Sequence, residues 1–216
     1  MKVRQVSNRG KNIIGHFPSI KLGRLVDFES LIERDYIYLI DFDRAVTWYA
    51  EQPLVIQYTH EGRAFTYTPD FHLLRHGRHI LVEVKPEKYV YKPDNQRKFE
   101  AARSWCEARG WLFQIVTETE IRSGFRLQNL KRLTQFARYN VSNQVKEQIL
   151  SVVGRLPAPV TIADVINAIS RQSPQALLIP ILHMTYRHQL TIPLDDALIT
   201  PSSPIHLSIH QQEKSL

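Results

Sequence analysis

The sequence predicts an α/β domain built on a mixed sheet flanked by helices, followed by a small, mainly α domain. Three observations carry that prediction: helix-like and strand-like segments interleave up to about residue 139, strand signals then give way to helical ones, and the charge balance changes at the same place. Residues 1–140 hold 23 Lys and Arg against 16 Asp and Glu, whereas residues 141–216 hold 5 of each. The expected division is a basic N-terminal arm over 1–24, an α/β domain over 25–139 and a second domain over 140–216.

The arm contains Lys2, Arg4, Arg9, Lys11, Lys21 and Arg24 and no acidic residue, a composition able to lie along phosphates. Leu25, Phe28, Leu31 and Ile32 then recur at helical spacing and predict an amphipathic helix over 26–36 that carries Glu29. Four β-rich runs follow, at 46–50, 54–59, 64–74 and 79–84, with Glu61-Gly62 and His76-Gly77 as turn signals. A helix is expected over 94–108, stopped by Gly110, then a buried strand over 111–116. Thr117 can cap a short helical turn over 118–121, and a helix over 127–139 bears Lys131, Arg132 and Arg138. The second domain reads as helices over 142–153, 162–170 with Thr161 as N-cap, and 174–187 with Ser173 as N-cap, then short strands at 190–193 and 205–209. Three helices and a hairpin outline a winged helix, with Pro180 expected to kink the third helix or delay its start.

Composition narrows the class. Apolar residues make up 43% of the chain and charged residues 23%, as in ordinary globular proteins, and no apolar run is long enough to span a bilayer. The polar, basic N-terminus has no signal-peptide core, so a cytoplasmic chain without membrane contact is expected, associated with the nucleoid when on DNA. A net charge of +7 points to a polyanionic partner. The single cysteine, Cys106, excludes an internal disulfide and a cysteine-based zinc site.

The chemistry concentrates in Pro69-Asp70 and, thirteen positions later, Glu83-Val84-Lys85. On a strand, Glu83 and Lys85 project to one face while Val84 faces the core, and the Arg75–His79 turn can bring Asp70 opposite Glu83. Two adjacent carboxylates on an otherwise apolar strand call for a cation, and a hard divalent ion, Mg²⁺ with Mn²⁺ able to substitute, fits. Asp70, Glu83 and the Val84 carbonyl are the expected metal ligands, with Glu29 completing the shell and Lys85 orienting a water or stabilising charge in phosphodiester hydrolysis. Lys88, together with Lys92, Arg97 and Lys98, falls where it could touch DNA near such a centre, and Lys131 and Arg132 are further DNA-contact candidates. His72, His76 and His79 lack a fourth ligand for zinc and are expected to face solvent or phosphate. Cys106 is expected to be a small core residue, and Trp48, Trp105 and Trp111 to serve packing.

Glu29, Glu51-Gln52-Pro53, Tyr67-Thr68-Pro69-Asp70-Phe71 and Glu83-Val84-Lys85-Pro86, with Phe17-Pro18-Ser19 and Phe28-Glu29-Ser30-Leu31 upstream, together resemble the TnsA endonucleases of heteromeric cut-and-paste transposons. These belong to the PD-(D/E)xK superfamily, whose fold is restriction-endonuclease-like. The match covers about residues 13–117, and the length and short arm resemble the compact members, including those of CRISPR-associated transposons. Some members carry Gln where Glu83 stands, and the acidic residue here favours ordinary metal binding. The resemblance implies cleavage of the 5′, non-transferred strands of double-stranded DNA at transposon ends. A DDE transposase (TnsB-like) would cut and join the 3′ strands, and an AAA+ ATPase (TnsC-like) would regulate both. The neutral second domain, with Leu177, Leu178, Ile179, Ile181 and Leu182, suits protein docking or simply its own core. A stand-alone restriction or repair endonuclease would use the same chemistry, and an inactive nuclease-fold module for DNA binding or assembly would keep only the fold.

Overall fold

Val26 and Phe28 are buried while Leu25 is 58% exposed, so the stretch expected to open a helix alternates with period two and forms a strand instead. In the computed structural model, which describes residues 13–169 and 175–208, β1 (Gly15–Pro18) pairs antiparallel with β2 (Leu25–Phe28). Helix α1 follows over Leu31–Phe42. Its start is fixed by Ser30, whose hydroxyl accepts from the Glu33 amide, while the Glu33 carboxylate accepts from the Glu29 amide. Glu29 therefore stands in the bend before the helix rather than on it.

A four-stranded sheet forms the centre of this unit. Its strands β3 (Val46–Glu51), β6 (Phe71–Arg75), β7 (Arg78–Val84) and β8 (Leu112–Val116) lie in that order. The first three are antiparallel and β7–β8 is parallel, which makes the sheet mixed. Between β3 and β6 the chain makes a separate two-stranded hairpin, β4 (Ile56–His60) with β5 (Arg63–Tyr67). The run expected as one strand over 64–74 is thus two strands in different sheets. Pro69 separates them, since it lacks a ladder donor and restricts Thr68 before it.

Helices cover both faces of the sheet. On one, Tyr36 of α1 packs its ring 5.6 Å from that of Phe71. On the other, α2 (Glu87–Val90) leads into α3 (Pro93–Glu107), whose Ala102 and Cys106 are buried with Leu81, Ile56 and Tyr67. Gly110 ends this helical stretch in the left-handed region at φ 67°, as the stop signal predicts. Cys106 is 1% exposed and its thiol is pushed up to about 11 by burial, in keeping with a core role. Helix α4 (Glu118–Ile121), held by a Thr117 and Glu120 capping box, packs near α1 and closes the unit at Arg122. A central mixed sheet flanked by helices is the restriction-endonuclease-like arrangement expected of the sequence.

His76 and His79 are exposed, as expected, whereas His72 is not. His72 is 8% exposed, its ring stacked 4.4 Å from Trp111 and tilted 5.0 Å from His79, with Trp48 edge-on at 5.3 Å. His76 occupies the β6–β7 turn with φ 49°. Burial, then the neighbouring His79, push the His72 imidazole down to about 4. The unfolded chain binds this proton near pH 6.5 and the folded chain only near 4, so stability should fall as pH drops through that window. His72→Phe should flatten the fall in urea unfolding measured across it, and an unaltered slope would contradict the assignment.

The second unit begins at Ser123, earlier than the expected boundary at 139/140. Its first helix, α5 (Arg126–Thr134), was expected to belong to the α/β domain. Its buried Asn129 donates its amide to the carbonyls of Leu194 and Ala197 and accepts from the Ile199 amide. Those bonds tie α5 to the C-terminal part of the chain, because packing and not charge sets the boundary. Helices α6 (Asn143–Arg155), α7 (Ile162–Ile169) and α8 (Gln175–Tyr186) follow, then β9 (Leu190–Thr191) antiparallel to β10 (His206–Leu207). Ser142 caps α6 through the Val145 amide. The expected Ser173 cap lies outside the described residues, and Pro180 is accommodated inside α8. Leu177, Ile181 and Leu182 are at most 8% exposed and form core rather than a docking surface.

Candidate active site

Strand β7 is buried from Ile80 to Val84, between the antiparallel β6 and the parallel β8. Its alternation sends Val84 into the α1 side of the core and projects Glu83 and Lys85 to the other face, as the ExK spacing requires. Asp70 follows the Pro69 break, and its Oδ2 accepts from the Val84 amide at 2.7 Å. That bond clamps the Asp70 carboxylate onto the backbone between Glu83 and Lys85. Glu83 is 3% exposed and held at both oxygens: Tyr67 donates its hydroxyl to Oε2 at 2.6 Å, and the Lys85 Nζ lies 2.6 Å from Oε1. A buried carboxylate is tolerable only with such partners.

The electrostatics follow from this crowding. Burial, then the charges of Glu83 and Glu33, raise the Asp70 carboxyl well above its usual range, against the opposing effects of Lys85 and the Val84 amide. Burial acts to lower Lys85, but the charge and hydrogen bond of Glu83 outweigh it, so the ammonium is held protonated at neutral pH. Burial and Glu83 likewise raise the Tyr67 phenol and keep it a donor.

Glu29, Asp70, Glu83, Val84 and Lys85 all line one cleft of about 580 Å³. Glu29 is held at its rim by Gln52, which donates its side-chain amide to Oε1 at 2.7 Å. Gln52 adopts φ 44°, and its backbone amide donates to the Asp70 carbonyl, linking the Glu51-Gln52-Pro53 turn to the Asp70 loop. The cleft also contains residues without an expected role there. Glu33 is one, raised by burial and lying within electrostatic reach of Asp70 and Glu83. Ser30-x-x-Glu33 is a capping-box signature, the signal that would have moved the helix start to Leu31 and turned Glu33 toward the site. Tyr67 is the second; Lys98 of α3, expected near the centre, lines the cleft as well.

The donor set fits a hard cation: oxygen ligands, and a buried Asp70 disfavoured as an anion beside two other carboxylates. Asp70 and Glu83 are the candidate ligands for such an ion. Among the described residues, no three His, Cys, Asp or Glu side chains converge as a ready-made cage. The backbone carbonyl of Val84 would complete the ligand set beside the two carboxylates. Tyr67→Phe should leave the fold nearly intact, at a cost of about 1 kcal/mol, yet lower turnover on DNA about tenfold with KM unaltered, because Glu83 loses the donor that fixes it. Equal steady-state constants for the two proteins would contradict that role.

The basic residues fall into distinct sets. Lys2, Arg4, Arg9 and Lys11 lie outside the described residues. Lys21 is not available to phosphates: its ammonium donates to the carbonyls of Asp43 and Val46, and burial lowers it. Arg24 makes a bidentate pair with Glu51 at 2.8 and 2.7 Å. Lys131 and Arg132 sit on α5 in the second unit, and Arg132 donates to the Ile199 carbonyl. Lys88 is exposed, its ammonium 4.9 Å from the Tyr89 ring centroid.

Residues 43–118 match the family model described as TnsA-like endonuclease N terminal. No curated protein matches the chain. The matched stretch contains Asp70, Glu83 and Lys85, while Glu29 and Glu33 precede it. Residues 43–118, which hold the clamped carboxylate pair and the ammonium beside it, are thus similar to a TnsA-like endonuclease N-terminal domain.

Proposed function

We propose that this chain is a divalent-metal-dependent endonuclease that cuts the 5′, non-transferred strands of double-stranded DNA at transposon ends. The observation that carries the reading is the placement of Asp70, Glu83 and Lys85 in one cleft, each held by a named partner. Asp70, Glu83 and the Val84 carbonyl would hold Mg²⁺, or Mn²⁺ in its place. The bound ion supplies Lewis-acid activation of the scissile phosphate and a water of lowered pKa. Lys85, kept protonated, supplies fixed positive charge where the phosphorane-like transition state gains negative charge, and cannot serve as the base. Tyr67 holds the Glu83 carboxylate in orientation, and the Val84 amide does the same for Asp70. We assign the third carboxylate to Glu33, which acts on Asp70 electrostatically, with Glu29 and Gln52 bracing the rim. Lys88 and the basic arm are the proposed phosphate contacts.

The 3′ strands would be left to a DDE transposase, with an AAA+ ATPase as regulator. The second unit, whose helices followed by two short strands support a winged-helix reading and whose C-terminal part is neutral, would dock one of these proteins. In a transposition reaction with those partners, Lys85→Ala should leave 3′-end joining intact and convert excision into cointegrates. Excision that persists in this variant would refute the reading.

A further inference from the structure

The hairpin β4–β5 stands apart from the central sheet, and among the described residues its two strands pair only with each other. One face anchors it: Ile56 and Tyr67 are buried against Leu81, Ala102 and Cys106, and Tyr58 stacks on Phe65 at 5.5 Å. Alternation turns the opposite face outward, where register pairs Gln57 with Thr66 and Thr59 with Ala64. All four residues are exposed.

That outer face is unusual for a strand pair in water. It carries no charge, although 23% of the chain is charged, and an exposed edge is ordinarily protected by Lys, Pro or a bulge. Instead three of its four side chains, Gln57, Thr59 and Thr66, can both donate and accept hydrogen bonds, with Ala64 beside them. It is also continuous with the cleft, because Thr66 lines the same cavity as Asp70, Glu83 and the Lys98 ammonium. At the far end, His60 and Arg63 pair across the register, with Glu61 in the turn 3.8 Å from His60.

Resting on the endonuclease reading above, we propose that β4–β5 is the element that enters the major groove of duplex DNA beside the scissile phosphate. Gln57, Thr59 and Thr66 meet base edges, and Arg63 meets the backbone across the groove. A two-stranded ribbon fits the B-DNA major groove, which is about 12 Å wide. Gln and Thr side chains read donor and acceptor patterns there, and Arg63 adds a phosphate contact. The hairpin's base is Tyr67, so the same strand that reads the duplex holds Glu83, placing the reading element in register with the chemistry.

Site-directed photocrosslinking of the full chain to a short duplex at low salt tests this. A benzophenone side chain is placed in turn at Thr59 on the hairpin, at Lys98 in the cleft and at the exposed Thr47 on the sheet's edge strand as background. The proposal predicts DNA crosslinks several-fold above the Thr47 level at both Thr59 and Lys98. Crosslinking at Lys98 alone overturns the hairpin's role and leaves the endonuclease reading standing. A Thr59 crosslink to a second protein chain instead of DNA also overturns it. Background yields at both positions overturn both readings.

Discussion

Asp70→Ala is expected to lower DNA cleavage by about a thousandfold or more, since it removes one of the two proposed central ligands and the group clamped to the Val84 amide. Loss of folding is not the cause to expect. The Asp70 carboxyl is raised above its unfolded value by burial and by Glu83 and Glu33, so the stability it contributes is full below the unfolded carboxylate range and is lost as pH rises through the raised value. Without metal, burying this carboxyl therefore works increasingly against the fold as pH rises. Asp70→Asn should therefore be at least as stable as the wild type in chelator at pH 7, and its stability should vary less with pH across the acid range. A thermal melt that drops for Asp70→Asn under those conditions would show that the carboxylate is structural.

The second large effect concerns which glutamate matters. Glu33→Gln should lower divalent-metal affinity and cleavage about ten- to a hundredfold, whereas Glu29→Gln should change them by less than about threefold. Glu33 raises Asp70 and senses Glu83, while Glu29 is engaged by Gln52 at the rim. Gln at position 33 keeps a side-chain acceptor at the start of α1, so the helix cap survives at a cost of about 1 kcal/mol or less. Cleavage assays of the two variants side by side decide the order. The reverse ranking would return the third carboxylate to Glu29.

The centre of the site was legible because its signals are local to one strand. Glu83 and Lys85 share a face by period two in an apolar run, and the turn at His76-Gly77 brings the preceding strand alongside. The partners that hold them were not legible, because they depend on where the chain breaks. Reading 64–74 as one strand hid that Pro69 frees Tyr67 to sit in a different sheet, with its hydroxyl on Glu83. Reading a helix from Val26 placed Glu29 on it, although Ser30 and Glu33 mark the helix start five residues later, at Leu31.

Charge was a weaker guide than pattern. Lys21 and Arg24 count toward a basic arm in the sequence, yet one caps backbone carbonyls and the other is spent on Glu51. The charge step near residue 140 did not mark the boundary either. Asn129, a single buried amide with three backbone partners on residues 194–199, assigns α5 to the second unit, and no one-dimensional signal announces such bonds.

The claim that Asp70 and Glu83 form a divalent-metal centre is tested most directly by calorimetric titration of Mg²⁺ or Mn²⁺ into the wild-type chain and into Asp70→Ala. The account predicts saturable binding to the wild type that weakens at least about tenfold in the variant. Superimposable isotherms for the two proteins would contradict it.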